Sequence, residues 1–139
     1  MEFFSVDDLR AATEEPQPIE RILLPAPINK WGWVQGLSAL ERTRYEFLFT
    51  KGAGDSRRTD YTKMLNARAL LAVRCLVKGP EDRTRLLTDA DAAWLGKLSG
   101  ALMEPLYDLC RKLSGMSKAD MAELEQLSTE EDPSAPASS

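Results

Sequence analysis

The side chains that most often carry chemistry are sparse in this sequence. It contains no histidine in 139 residues, which removes the commonest general base and the commonest metal ligand. Nucleophilic mechanisms that pair serine or cysteine with histidine are therefore excluded. The two cysteines, Cys75 and Cys110, belong to no CxxC motif and fall on apolar stripes of predicted helices. We interpret them as buried free thiols, and we expect no metal and no cofactor.

Two short motifs could still suggest chemistry, and each has a simpler explanation. Residues 52–55 (Gly-Ala-Gly-Asp) lack the third glycine of a dinucleotide fingerprint and the lysine of a P-loop, and they follow a predicted helix rather than a strand. Asp89 and Asp91 form a carboxylate pair, but both fall in the first turn after Thr88, where acidic side chains stabilise the positive end of a helix. The sequence therefore predicts a protein that is not an enzyme.

Charge is distributed unevenly along a chain whose formal net charge is −4. The net charge is −3 over residues 1–50, +5 over residues 51–85 and −6 over residues 86–139. The basic segment 51–85 could contact nucleic-acid phosphates or an acidic protein surface. Because only Tyr61 is interleaved for base stacking, we favour a protein partner; a small regulatory nucleic-acid-binding protein is the alternative.

The helices and strands predicted from the sequence, which must position any functional site, indicate an α+β domain that is mainly α. We expect a small N-terminal β-hairpin packed on a bundle of about four to five helices, because a lone hairpin is marginal in water. The predicted elements are a helix over 5–13, strands over 19–24 and 30–37, and helices over 38–51, 61–77, 88–95, 98–113 and 117–127. Pro105 should kink or restart its helix, and Gly115 should end it.

The end of the chain has a different composition from the rest. Residues 129–139 are acidic, rich in proline and serine, and without apolar periodicity, so we expect a disordered tail after a single domain over 1–128. No apolar stretch approaches the roughly 20 residues that a membrane span needs, and the start lacks the pattern of a secretory signal. We therefore expect a cytoplasmic protein with no membrane partner.

Aromatic and methionine residues are the best candidates for contacts with a protein partner. Trp31 and Trp33 are two residues apart and share one side of a strand, where an exposed tryptophan would anchor an interface. For each candidate taken singly, packing in the core is the favoured explanation. The complete set is Trp31, Trp33, Tyr45, Phe47, Arg57, Arg58, Met116, Met121 and Leu124.

Several short motifs, taken in order, resemble one protein family. They are Trp-Gly-Trp-Val-Gln-Gly-Leu-Ser at 31–38, Glu-Arg at 41–42 with Glu-Phe at 46–47, Ala-Val-Arg-Cys-Leu-Val at 72–77, Leu-Leu-Thr-Asp-Ala-Asp at 86–91, Leu-Gly-Lys-Leu-Ser at 95–99 and Lys-Leu-Ser-Gly-Met-Ser at 112–117. Over about residues 5–128 this order is similar to that in the tail assembly chaperones of long-tailed, non-contractile bacteriophages.

The resemblance implies a non-enzymatic function in phage assembly. A tail assembly chaperone keeps the tape measure protein soluble, helps to recruit tail tube subunits around it, and is absent from the mature virion. Family members often also exist in a longer form made by a programmed ribosomal frameshift, and contact with the tail tube protein would then run through that form. The resemblance places the protein in the cytoplasm of a bacterial host. We also expect self-association to a homo-oligomer, since the unpaired strand edges of a hairpin and the apolar stripes of amphipathic helices can form contacts between copies.

Overall fold

A computed structural model describes residues 2–51, 58–59 and 66–117 of the chain. It has the predicted fold class: mainly α with a small antiparallel sheet. The helices are α1 (Val6–Glu14), α2 (Ala39–Phe47), α3 (Ala67–Cys75), α4 (Ala92–Leu95) and α5 (Gly100–Leu113), with a 3₁₀ turn at Asp89–Asp91. The strands are β1 (Ile19–Leu24), β2 (Lys30–Gln35), β3 (Thr50–Lys51), β4 (Arg58–Thr59) and β5 (Leu76–Val77).

The predicted hairpin forms and gains a third strand. β1 pairs antiparallel with β2 in a register that runs from Ile19 opposite Gln35 to Leu24 opposite Lys30. β5 pairs antiparallel with the other edge of β2, so the strand order is β1-β2-β5. The prediction of a helix over 61–77 is therefore wrong at its end. Leu76 and Val77 adopt extended backbone because they form ladder hydrogen bonds with β2. At the other end, Asn66 lies in a turn and the helix begins at Ala67.

Capping chemistry sets the starts of the first two helices, as the sequence predicts. Ser5 accepts a hydrogen bond from the backbone N–H of Asp8, whose carboxylate accepts one from the N–H of Ser5. Ser38 and Glu41 form the same reciprocal capping box at α2. However, α2 ends at Phe47 rather than near residue 51, because the chain turns there to bury Phe49 before β3.

The helix that contains Pro105 continues from Gly100 to Leu113 without a restart. Proline removes the hydrogen bond that would reach the carbonyl of Ala101, but both residues lie on the exposed side of α5, where water can satisfy that carbonyl. The helix ends as predicted at Gly115, which has a φ of 70°. The Met116 N–H reaches the Arg111 carbonyl at 3.0 Å and the Gly115 N–H reaches the Lys112 carbonyl at 3.2 Å, which together form a Schellman motif.

The core lies between α3, α5 and the inner face of the sheet. α3 is buried along most of its length, and its exposed Arg68 pairs with Glu104 of α5 at 2.7 Å. The N–H of Leu37 donates to the hydroxyl of Ser114 at 3.0 Å, which joins the end of β2 to the end of α5. This contact fixes the sheet against the helices. The last predicted helix, over 117–127, and the tail over 129–139 lie outside the described residues.

Both cysteines are buried and free, as the sequence predicts. A hydrogen bond with Cys75 and burial together raise the pKa of the Cys110 thiol well above its ordinary value. Cys75 also lies 3.7 Å from the Ser114 hydroxyl, sulfur to oxygen. The Cys110 thiol is therefore held protonated inside the core.

We expect neither thiol to react with an aromatic disulfide reagent until the protein unfolds, as measured by labelling with and without urea. Because the folded-state pKa is raised, the protonated thiol contributes stability that is fully present below the pKa of an unfolded thiol, about 8.5. That stability is lost as pH rises from there towards the raised pKa, so urea midpoints should fall in mild alkali. Rapid labelling of the native protein, or midpoints that rise in alkali, would contradict this.

Candidate partner surfaces

The outer face of the sheet is the most exposed aromatic surface on the strands. In the β1–β2 register, Leu23 lies opposite Trp31 and Arg21 lies opposite Trp33, and all four point away from the core. Trp31 is 57% exposed and Leu23 is 51% exposed. The guanidinium carbon of Arg21 lies 4.4 Å from the centre of the Trp31 ring, a cation–π contact. We call this surface the outer sheet face.

Trp33 fixes this face to the rest of the fold. It lies opposite the buried Val77 of β5, and a Cβ placed on Gly79 would lie 3.7 Å from its ring. Arg83 closes the end of the face, because its guanidinium donates to the carbonyl of Gln17 at 2.7 Å and to the side-chain oxygen of Gln35 at 3.3 Å. Trp33 is therefore half-buried, while Trp31 is accessible to a partner.

The N-terminal segment forms a second exposed apolar surface that sequence reasoning missed. No residue of α1 is buried. Phe3 and Phe4 are 86% and 77% exposed, and Val6 and Leu9 are also exposed. The signal was present in the sequence, since apolar residues spaced three to four apart follow a capping box. We call residues 2–14 the N-terminal arm.

The remaining predicted partner residues divide into four groups. Phe47 is half-exposed on α2, as an interface residue would be, but Tyr45 and Met116 are buried in the core and cannot meet a partner in the folded protein. The physical reason is that α2 and the end of α5 turn these side chains inward. Arg58 lies in β4, of which the structure describes the backbone. Arg57, Met121 and Leu124 lie outside the described residues.

The two candidate carboxylates have structural partners. Asp89 accepts hydrogen bonds from Arg74 and Arg85, each at 2.8 Å. Partial burial raises the pKa of Asp89, but these two arginines outweigh it and hold the pKa below its ordinary value. Hydrogen bonds from the Thr88 N–H and from the indole of Trp94 lower the pKa of Asp91. Both carboxylates are thus kept ionised, so neither is suited to act as a general acid near neutral pH.

The Asp91 hydrogen bond also explains why Trp94 is not a core residue. Trp94 lies next to the buried Leu95 in α4. In the structure the indole N–H donates to the Asp91 carboxylate at 2.8 Å, and the ring is half-exposed. This polar contact holds the ring over the helix start instead of against α3.

A cleft of about 370 Å³ lies beside Asp89. Its walls are largely apolar, from Leu48, Leu70 and Ala92, with Asn66 and Asp89 as the polar groups. Across the residues that the structure describes, no cluster of three or more acidic or cysteine side chains could hold a metal ion. Within those same residues, none of the helices combines the length and the apolarity needed to cross a bilayer.

The chain was compared with protein-family models, with curated proteins and with solved structures, and none of the three comparisons gave a match.

Proposed function

We propose that the protein is a non-enzymatic tail assembly chaperone of a long-tailed, non-contractile phage. In this function it keeps the tape measure protein soluble and helps to recruit tail tube subunits. The observation that carries the proposal is the outer sheet face, where Trp31 and Leu23 are exposed side by side on a rigid hairpin. Clustered apolar side chains left outside a core mark sites that bind other proteins.

The surface chemistry supports a client that exposes apolar helical surface. Tryptophan and arginine are the residues that most often dominate binding energy at protein interfaces, and here Arg21 stacks on Trp31. The motif at residues 31–38, one of those that carry the resemblance to tail assembly chaperones, contains most of β2, which supplies Trp31 and Trp33 to this face. The proposal places the protein in the cytoplasm of a bacterial host and not in the mature virion.

The alternative, a nucleic-acid-binding protein, has less support from the basic segment 51–85. Four of its arginines are engaged within the protein. Arg74 and Arg85 pair with Asp89, Arg83 donates to Gln17 and Gln35, and Arg68 pairs with Glu104. A guanidinium group that is already paired is less available to a phosphate, which favours a protein partner over nucleic acid at these four positions.

Co-expression with the tape measure protein of the same genome tests the proposed function. We expect the wild-type chain to raise soluble, co-purifying client several-fold over the client alone. The double substitution Leu23→Thr with Trp31→Thr should lose most of this gain, because threonine suits a strand but removes the apolar surface. The comparison is made by affinity purification and densitometry of the soluble fraction.

The matched control for this experiment is Leu40→Gln. Leu40 is 60% exposed on α2, away from the sheet, and glutamine is a good helix former. This variant should retain the wild-type yield of soluble client. A client that stays insoluble with the wild-type chain, or equal yields from all variants, would refute the proposed function.

A further inference from the structure

We propose that two copies of this chain exchange their N-terminal arms, so that α1 of each copy packs on the outer sheet face of the other. Both surfaces are exposed and apolar, so each can be buried by contact with the other. The proposal concerns the purified chain without client; under the proposed function, a client that binds the outer sheet face displaces the arm from it.

The arm needs a surface to pack against. An isolated helix shorter than about 12 residues is marginal in water, and α1 has nine residues, none of them buried. The capping box of Ser5 and Asp8 supplies local stability, but the apolar stripe of Val6 and Leu9 supplies none while it faces solvent. Docking that stripe on an apolar face would remove it from water and stabilise the helix.

The charges of the two surfaces are complementary. Residues 2–15 contain five carboxylates (Glu2, Asp7, Asp8, Glu14 and Glu15) and one cation (Arg10). The strand residues of the outer sheet face include Arg21 and no carboxylate, and Arg83 closes its end. An acidic amphipathic helix therefore meets an apolar face with a basic rim, which favours association and orients it.

The connector explains why the arm covers a second copy and not its own sheet. Proline fixes φ near −65° and restricts the preceding residue to extended backbone. Pro16 and Pro18 thereby hold residues 15–18 extended, and Glu15 has a ψ of 136°. The carbonyl of Pro18 is in turn tied to the N–H of Gly36 at 2.9 Å. Although the chain bends at Glu15, a short connector with two prolines limits how far α1 can fold back onto β1, so we expect the arm to reach a second copy.

The area available is sufficient for a dimer. If the exposed parts of Phe3, Phe4, Val6 and Leu9, with those of Leu23 and Trp31, were all covered, two reciprocal contacts would bury at most roughly 1,500 Å² of surface, against the range of about 1,200–2,000 Å² typical of stable interfaces. A single contact offers half of this area and should therefore hold two copies together more weakly than the reciprocal exchange does.

Sedimentation velocity over a concentration series of the full chain tests the exchange. We expect a dimer whose dissociation constant rises at least tenfold in Leu9→Gln and in Trp31→Thr, with Leu40→Gln as the matched control that leaves it unchanged. Arg21→Glu should weaken the dimer, and adding Asp7→Arg should recover part of the loss by restoring opposite charges. Circular dichroism verifies that each variant folds, as we expect because the substituted side chains are exposed.

Mixing two variants separates exchange from any other dimer. Leu9→Gln has a defective arm and an intact face, whereas Trp31→Thr has an intact arm and a defective face. Each should be monomeric alone at a concentration where their 1:1 mixture forms a heterodimer through one intact contact. A wild-type chain that is monomeric throughout, variants that still dimerise, or a mixture that stays monomeric would overturn the proposal. Loss of client solubilisation with an intact dimer would instead count against the proposed function alone.

Discussion

Replacing Gly36 with alanine is expected to destabilise the folded protein by about 3 kcal/mol or more. Gly36 follows β2 and is buried against the end of α5. A Cβ at this position would overlap the carbonyl oxygen of Leu113 and lie 2.6 Å from its carbonyl carbon. Both atoms belong to the backbone, so no side-chain rotation can relieve the contact. Either the sheet or α5 must move.

That movement would also weaken a neighbouring hydrogen bond. Leu37, the next residue, donates its N–H to the buried hydroxyl of Ser114 at 3.0 Å, and Ser114 directly follows Leu113. A shift that relieves the clash therefore separates this donor from its acceptor, and a buried N–H without a partner costs about 1–3 kcal/mol. The expected effect is a large drop in the urea midpoint.

The matched control is Gly32→Ala, in the same strand. A Cβ on Gly32 meets no atom within 4 Å, and alanine loses less backbone entropy on folding than glycine does. We expect its free energy of unfolding to stay within about 1 kcal/mol of wild type. Equal effects at the two glycines would show that the sheet does not approach α5 as closely as described.

Local chemistry made part of this fold predictable. The capping boxes at Ser5 and Ser38 and the stop at Gly115 depend on residues within a few positions of one another, so the sequence displays them directly. β5 could not be predicted in the same way. Leu76 and Val77 continue the apolar pattern of α3, and only pairing with Trp33 and Val34, more than 40 residues earlier in the chain, makes them a strand.

The sequence predicts that Trp31 and Trp33 share one side of β2, but it does not predict that this side is the exposed face of the sheet. Period-two spacing places Trp31 and Trp33 on one side of β2. However, the other side of the hairpin also carries apolar residues, including Ile22, Leu24 and Val34, so hydrophobicity alone does not show which side is buried. The choice is made by where α3 and α5 pack.

Substitutions at Tyr45 and Trp31 should separate stability from partner binding. The Tyr45 ring is fully buried, meets Phe49 edge-on at 4.9 Å between ring centres, and donates its hydroxyl to the Ala67 carbonyl at 2.7 Å. Tyr45→Ala should lower the free energy of unfolding by about 4 kcal/mol, because it leaves a large cavity. Tyr45→Phe should cost about 1 kcal/mol, the value of one hydrogen bond.

Trp31→Thr should change stability by less than about 1 kcal/mol, since an exposed strand position contributes mainly through its cross-strand neighbours. The same substitution, combined with Leu23→Thr, should nonetheless abolish most client recovery, whereas Tyr45→Phe should retain it. Urea unfolding and co-purification of the client measure the two effects on the same proteins. If the protein with Trp31→Thr and Leu23→Thr keeps the client, the binding surface does not lie on the outer sheet face. The opposite result assigns client binding to the outer sheet face, which contributes little to folding stability because its side chains lie outside the core.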